Sequence, residues 1–212
     1  MYVPNSYKHS ERAAIRQALF GTNMSPKLAI ITPLKIFFEP LAKKGKHYQG
    51  WWKTSLVENV MVIKSQQGTA VLDSICALDP ETHIIFLGIA GSLKNLKIGQ
   101  IVEPNKAILQ EKEILSPWVS QNHFLNVSIA TVSCLAESNE QFWKLRESAD
   151  CVDMETAWLF LASHRQRKPS CSIQLISDHP LDSPFYKVNK PFPNDSINEV
   201  ISFTTQIINQ FH

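Results

Sequence analysis

Three short segments carry residue types that can do acid–base or sugar-binding chemistry. The first is Leu175-Ile176-Ser177-Asp178-His179-Pro180, where Asp178 directly follows an apolar run. A carboxyl at the end of a buried strand is partly desolvated, which raises its proton affinity and suits it to protonate a leaving group. The same aspartate also serves as an ordinary turn or helix cap. The second segment is Cys151-Val152-Asp153-Met154-Glu155-Thr156-Ala157, with Asp153 and Glu155 opening an otherwise apolar helix. Acids suit a helix N-terminus. Held at a pocket wall, a carboxylate there also accepts hydrogen bonds from sugar hydroxyls. The third is Gly88-Ile89-Ala90-Gly91-Ser92. Two glycines three apart serve a tight turn or let backbone approach a ligand closely. With no Gly-Lys-Ser/Thr it is not a P-loop, and without a third glycine it is a poor dinucleotide fingerprint.

These segments need elements to position them. Apolar runs at 28–31, 84–87 and 171–176, bounded by proline, glycine or polar residues, predict buried strands. Further strands are expected at 101–102 and 127–132, with a strand pair across 54–63 and a turn region at 45–50. Helical spacing appears at 5–20, 34–44, 68–78, 137–148, 152–163 and 196–211. Ser10 is the expected cap of the first, with Ala14, Ile15, Ala18 and Leu19 on one face. Ser196 and Glu199 stand at capping-box spacing in the last. Strands alternating with helices predict an α/β chain. Residues 1–26 read as an extension with a short helix, and 27–212 as a single domain. The three catalytic segments then fall at the carboxyl ends of strands, where such sheets place ligands.

Composition narrows the function classes. The 212 residues include 44% hydrophobic and 19% charged, enough for a full core. A net charge of +2 is too even to argue for nucleic acid or an anionic membrane. No stretch reaches the roughly 20 apolar residues of a membrane span, and the start lacks the apolar region of a signal peptide. Cys76, Cys134, Cys151 and Cys171 have no metal or disulfide spacing, so a reducing cytosol is the expected compartment. His179 is the one histidine beside a candidate segment. Trp51-Trp52 reads as a buried hairpin pair, 164–168 as a solvated cationic helix end, and Cys151 as a small packed residue.

Taken in order, the segments resemble the nucleoside phosphorylase and nucleosidase superfamily over roughly residues 27–211. The run from Phe86 to Leu93, followed by Leu96-Lys97-Ile98-Gly99-Gln100-Ile101-Val102, is similar to that family's glycine loop and its "xxIGDVV" continuation. Val152 to Ala157 resembles its "VEMEAA" helix start, Leu175 to Asp178 its "AISD" strand end, and the turn from Ser65 to Ala70, with Gly68, its "SGIGKVAA". The resemblance implies a three-layer α/β/α sandwich around a twisted mixed sheet, and cleavage of an N-ribosidic bond. It implies that Asp178 protonates the leaving base, Glu155 holds the ribose hydroxyls and Met154 packs beneath the ribose. Ala90, Gly91 and Ser177 are carried over as substrate contacts. No metal and no organic cofactor are expected, and a homodimer is usual in this branch.

Phosphorylases of the superfamily hold phosphate with arginines and a serine, some in the glycine loop. This chain has Phe86 and Ile89 there, and Thr32-Pro33-Leu34-Lys35 lacks the glycine-rich phosphate turn. An apolar pair leaves a dianion unpaired. Water is therefore the expected nucleophile, as in methylthioadenosine/S-adenosylhomocysteine nucleosidases and futalosine hydrolases. In the former a glutamate just after the first strand activates the water, and that place falls on Phe37. Glu39 is the candidate substitute, although a helix carries it about 200° around from Phe37. Either the helix is shifted or the base is missing. Leu135 stands where the family often has an aromatic under the base, with Phe185 or a tryptophan as candidate replacements. A phosphate-dependent phosphorylase and a non-catalytic nucleoside-binding relative are the alternatives.

Overall fold

A computed structural model describes residues 9–22, 24–118, 123–133, 139–180 and 192–211. In chain order the elements are α1 (His9–Phe20), β1 (Leu28–Thr32), α2 (Lys35–Ala42), β2 (Lys46–Gln49), β3 (Lys53–Val57), β4 (Val60–Lys64), a 3-10 turn (Gly68–Ala70), α3 (Val71–Ala77), β5 (His83–Ser92), β6 (Ile101–Leu109), β7 (Lys112–Leu115), β8 (Leu125–Thr131), α4 (Asn139–Arg146), β9 (Cys151–Asp153), α5 (Thr156–Gln166), β10 (Ser170–Asp178) and α6 (Asn194–Gln210).

The apolar runs are strands buried on both faces, and their alternation separates two cores. Ala29, Ile31, Met61, Ile63, Ile84 and Phe86 join one core with Leu72 and Ile75 of α3 and Leu159 and Phe160 of α5. Leu28, Ile30, Val60, Val62, Ile85 and Leu87 join the other with Phe37, Phe38 and Leu41 of α2 and Val200 and Ile207 of α6. Side chains alternate along a strand, so one continuous apolar run supplies both layers. The result is the expected three-layer α/β/α arrangement. α1 packs outside α3.

β1, β4, β5 and β10 run parallel, so their carboxyl ends lie at one edge. The sheet then closes on itself: β5 pairs β10, β10 pairs β6, β6 pairs β8, β8 pairs β9, and β9 returns to β5. β4, β3 and β2 extend it as an open wing beyond β1.

Several local readings change. Gly88 to Ser92 is not a loop but the end of the ten-residue strand β5. Its glycines have no left-handed backbone; they are forced by neighbours. A Cβ on Gly88 would stand 2.5 Å from Gln174 Oε1, and one on Gly91 2.4 Å from Pro180 Cγ. The turn region at 45–50 contains the edge strand β2, whose residues are mostly exposed and so show no apolar period. The helix expected from 152 begins at Thr156, after the short strand β9. α1 buries Arg12, Arg16 and Phe20 at i, i+4 spacing, while Ala14 and Ala18 are exposed, and Ser10 lies inside it. The last helix begins at Asn194, so Ser196 is not its cap. Trp52 is buried beside Phe20 (centroids 6.0 Å apart), but Trp51 is 83% exposed.

The 164–168 run also differs. His164, Arg165 and Arg167 are exposed, but Lys168 is buried, and its ammonium donates to the carbonyls of Ile75 and Leu78. Arg16 donates to Ala77 O (3.1 Å) and Asp79 Oδ1 (3.0 Å). Both side chains thus donate to carbonyls at and just beyond the end of α3.

Candidate active site

Gly91 is the meeting point. On one side its register partner is Asp178 at the end of β10; on the other it is Val152 on β9, three residues before Glu155. A residue with a Cβ at 91 would press on Pro180 and come within 3.4 Å of Asp178 Oδ1. The absent side chain thus lets two acid-bearing segments flank one strand end.

Asp178 is 7% exposed, and the neighbouring Ser177 hydroxyl donates to its Oδ1. Ser177 Oγ also lies 3.2 Å from Ala90 O, tying the β10 end to β5. Ala90 and Gly91 are themselves buried.

Glu155 is 6% exposed at the N-cap position of α5. Its Oε1 accepts the backbone N–H of Gly68 at 2.6 Å. Gly68 needs its glycine for a left-handed φ of +69°, and its α-carbon region faces Met154, whose Cε would lie 3.9 Å from an added Cβ. Gly68 follows β4 and Asp178 ends β10, both in the parallel set. Glu155, Met154, Gly68, Ala90, Gly91, Ser177 and Asp178 therefore gather at the carboxyl edge of those strands. Burial, and then the charge of Asp153, push the Glu155 carboxyl up to about 7.

Beneath Glu155 lies a polar network whose partners the sequence hides. Asp153 accepts from Thr131 Oγ1 (2.6 Å), from the backbone N–H (2.9 Å) and hydroxyl of Thr156, and from Gln174 Nε2 (3.3 Å). Thr131 Oγ1 in turn accepts the Ala157 N–H at 2.9 Å. Asp153 is visible in the sequence as an acid at a helix start; Thr131 and Gln174 reach it only through the folded sheet.

Glu39 is not brought to this group. Phe37 is buried in the core under α2, and Glu39, two residues around the helix, turns outward. Its side chain is 61% exposed and paired with Lys35 at 3.3 Å. Leu135 and Phe185 lie outside the described residues. Cys151 is fully buried, as a packed residue should be, and burial drives its thiol well above the ordinary range. Among the described residues no cluster of three His, Cys, Asp or Glu could hold a metal ion, and no helix is long and apolar enough to cross a membrane.

No protein-family model matches the sequence, and no curated protein matches it significantly. Solved structures do. The 5′-methylthioadenosine/S-adenosylhomocysteine nucleosidase of Campylobacter jejuni superposes with a TM-score of 0.67 at 17% identity, covering 87% of this chain and 98% of that one. The futalosine hydrolase of Helicobacter pylori gives 0.69 at 17%, covering 89% and 100%. The AMP nucleosidase of Bacteroides thetaiotaomicron gives 0.69 at 17%, covering 92% and 94%. With its parallel strands, self-closing sheet and two helical layers, the chain has the nucleoside phosphorylase-like fold of these structures.

Proposed function

We propose that the protein is a nucleosidase that hydrolyses the N-ribosidic bond of a purine nucleoside with a modified 5′ group. One observation carries the reading: Asp178 and the Asp153–Glu155 segment flank the same glycine at the carboxyl edge of the parallel strands. In the proposed reaction Glu155 accepts hydrogen bonds from the ribose hydroxyls. Asp178 gives its proton to the base as the C1′–N bond breaks and the bonding electrons leave with the base. Water then bonds C1′ and releases a proton. The ribose develops positive charge on the way, so a carboxylate gripping its hydroxyls stabilises the transition state more than the ground state. The proton donor contributes about 10²–10⁴-fold.

Water rather than phosphate is favoured by Phe86, which is fully buried, and by Ile89, which packs on the second core. Neither offers a dianion a partner. The 5′ substituent is the open variable, and the structural neighbours suggest methylthioadenosine, S-adenosylhomocysteine, futalosine with its amino analogue, and AMP. Incubation with each, without phosphate, and measurement of free base tests the reading. Release from one of them, lost in Asp178→Asn and Glu155→Gln, supports it; a strict phosphate requirement turns it into a phosphorylase. A second reading, nucleoside binding without cleavage, is favoured by Phe37 and the outward Glu39, which leave no acid from α2 to activate water. Calorimetric binding with no base released from any of these nucleosides would decide for it.

A further inference from the structure

We propose that Asp153 is a positioning residue for Glu155: it fixes the backbone from which Glu155 reaches Gly68, and as the acid of the pair with more hydrogen-bond donors it leaves their last shared proton on Glu155. The proposal deepens the nucleosidase reading, and rests on it only for the identity of the ligand that Glu155 receives.

The geometry of the two acids is unequal. Asp153 is 5% exposed and takes hydrogen bonds from Thr131 on β8, Thr156 on α5 and Gln174 on β10, as well as from the Glu155 N–H. Gln174 Nε2 is itself held by Thr156 Oγ1 (3.0 Å) and Ser172 Oγ (2.8 Å). Every one of these partners donates and so favours the carboxylate of Asp153; burial outweighs them and raises it to about 6, still below the value of about 7 for Glu155. The first free N–H groups of α5, on Thr156 and Ala157, are likewise spent on Asp153 and Thr131. Among the described residues, Glu155 has the backbone N–H groups of Gly68 and Met154.

Among the described residues, the groups that touch the pair carry little charge. Thr131, Thr156, Ser172, Gln174 and Gly68 are neutral, and α5 has no acid in its first turn. Cys151 on β9 is a buried thiol whose proton is held tightly, and Asp178 ends β10 across Gly91. Two buried carboxyls two residues apart, with no facing cation among these groups, cannot both ionise cheaply. Because Asp153 has the donors, the proton resides on Glu155. A sugar diol donates two hydrogen bonds and selects the carboxylate, so its binding expels that proton.

The test is an infrared titration of the protein without ligand. The band of a protonated carboxyl that titrates at about 7 and is missing from Glu155→Gln belongs to Glu155. Asp153→Asn is expected to move its midpoint down by about one pH unit or more, and Asp153→Glu, which keeps the charge, to leave it in place. A folded Asp153→Asn with an unmoved midpoint overturns the proposal and leaves Asp153 a structural cap. If Asp153→Asn does not fold, the unaltered protein decides: no Glu155 band titrating above the ordinary carboxyl range also overturns it. No substrate is needed, so failure to cleave any nucleoside leaves this test standing, and its failure leaves the nucleosidase reading standing.

Discussion

The backbone N–H of Gly68 donates to Glu155 Oε1 at 2.6 Å, so the turn after β4 and the N-terminus of α5 share one carboxylate. The bond joins residues 87 positions apart. It holds the acid in place while no ligand is bound, at an oxygen that a sugar hydroxyl would also address.

Gly68→Ala should therefore act through the backbone rather than by collision. An added Cβ meets Met154 Cε at 3.9 Å, an ordinary contact, but φ is +69°. A left-handed alanine costs about 1–2 kcal/mol. Denaturant unfolding should register a loss of that size, with weaker nucleoside binding as Glu155 loses its anchor. A variant as stable as the parent would mean that the turn relaxes freely.

Asp178→Asn and Glu155→Gln should separate by kinetic signature. Losing the proton donor lowers kcat by about 10²–10⁴-fold with KM nearly unchanged. Losing the ribose acceptor lowers kcat/KM through both constants, because it touches the ground state as well. Glu155→Gln should also leave the protein at least as stable at neutral pH, since it removes a desolvated acid. Steady-state assays with thermal unfolding of both variants check this.

What was legible in the sequence is what depends on neighbours along the chain. β1 and the first part of β5 are apolar runs because they are buried on both faces, and such runs declare themselves. The acids at 153, 155 and 178 stood out by sitting at the edges of those runs. What stayed hidden depends on partners far off in the chain. Gly88 and Gly91 read as loop residues, yet they are small because Gln174 and Pro180 occupy the space beside them. β2 has no apolar face to give it a period. Lys168 sat in a run of cations, and only the end of α3, some ninety positions away, makes it a buried cap.

Gly91→Ala tests the meeting of the two acid segments. The new methyl would lie 2.4 Å from Pro180 Cγ, a ring that cannot rotate away, and 3.4 Å from Asp178 Oδ1. Overpacking of this kind costs about 1–3 kcal/mol. Because strain would be relieved by moving Pro180 and Asp178, turnover should fall more than tenfold, far beyond the change in folded fraction. Unaltered turnover would show that Asp178 does not need its present position.

Glu39→Gln should change almost nothing. Its exposed pair with Lys35 is worth about 0.5 kcal/mol or less. A tenfold loss of base release would instead place Glu39 at the reaction centre. Moving the acid inward does not repair the gap: Phe37 is 1% exposed, and its burial contributes about 1.5–3 kcal/mol that Phe37→Glu would forfeit along with an unpaired charge.

Stability should pass through a trough near neutral pH, for two opposite reasons. Glu155 has a folded value of about 7 against an ordinary 4.5. Between these the native state keeps a proton that the unfolded chain releases, so stability is greatest below 4.5 and falls as pH rises towards 7. Lys168 behaves inversely. Burial, and then repulsion from Arg12, lower its ammonium from 10.5 to about 7. Between those values the unfolded chain holds the extra proton, so stability rises with pH and is fully regained above 10.5. Glu155→Gln should shrink the acid-side decline to the part due to Asp153, which burial raises from 3.8 to about 6, and Lys168→Met should flatten the alkaline-side rise, each leaving the other limb. Calorimetric melting from pH 4 to 10 reads both. Above 10.5, where the folded and unfolded chains both hold Lys168 neutral, Lys168→Met should lower the melting point, because the Leu78 carbonyl loses its donor. A rise that persisted in Lys168→Met would assign the alkaline limb to another group and make Lys168 an ordinary charged cap.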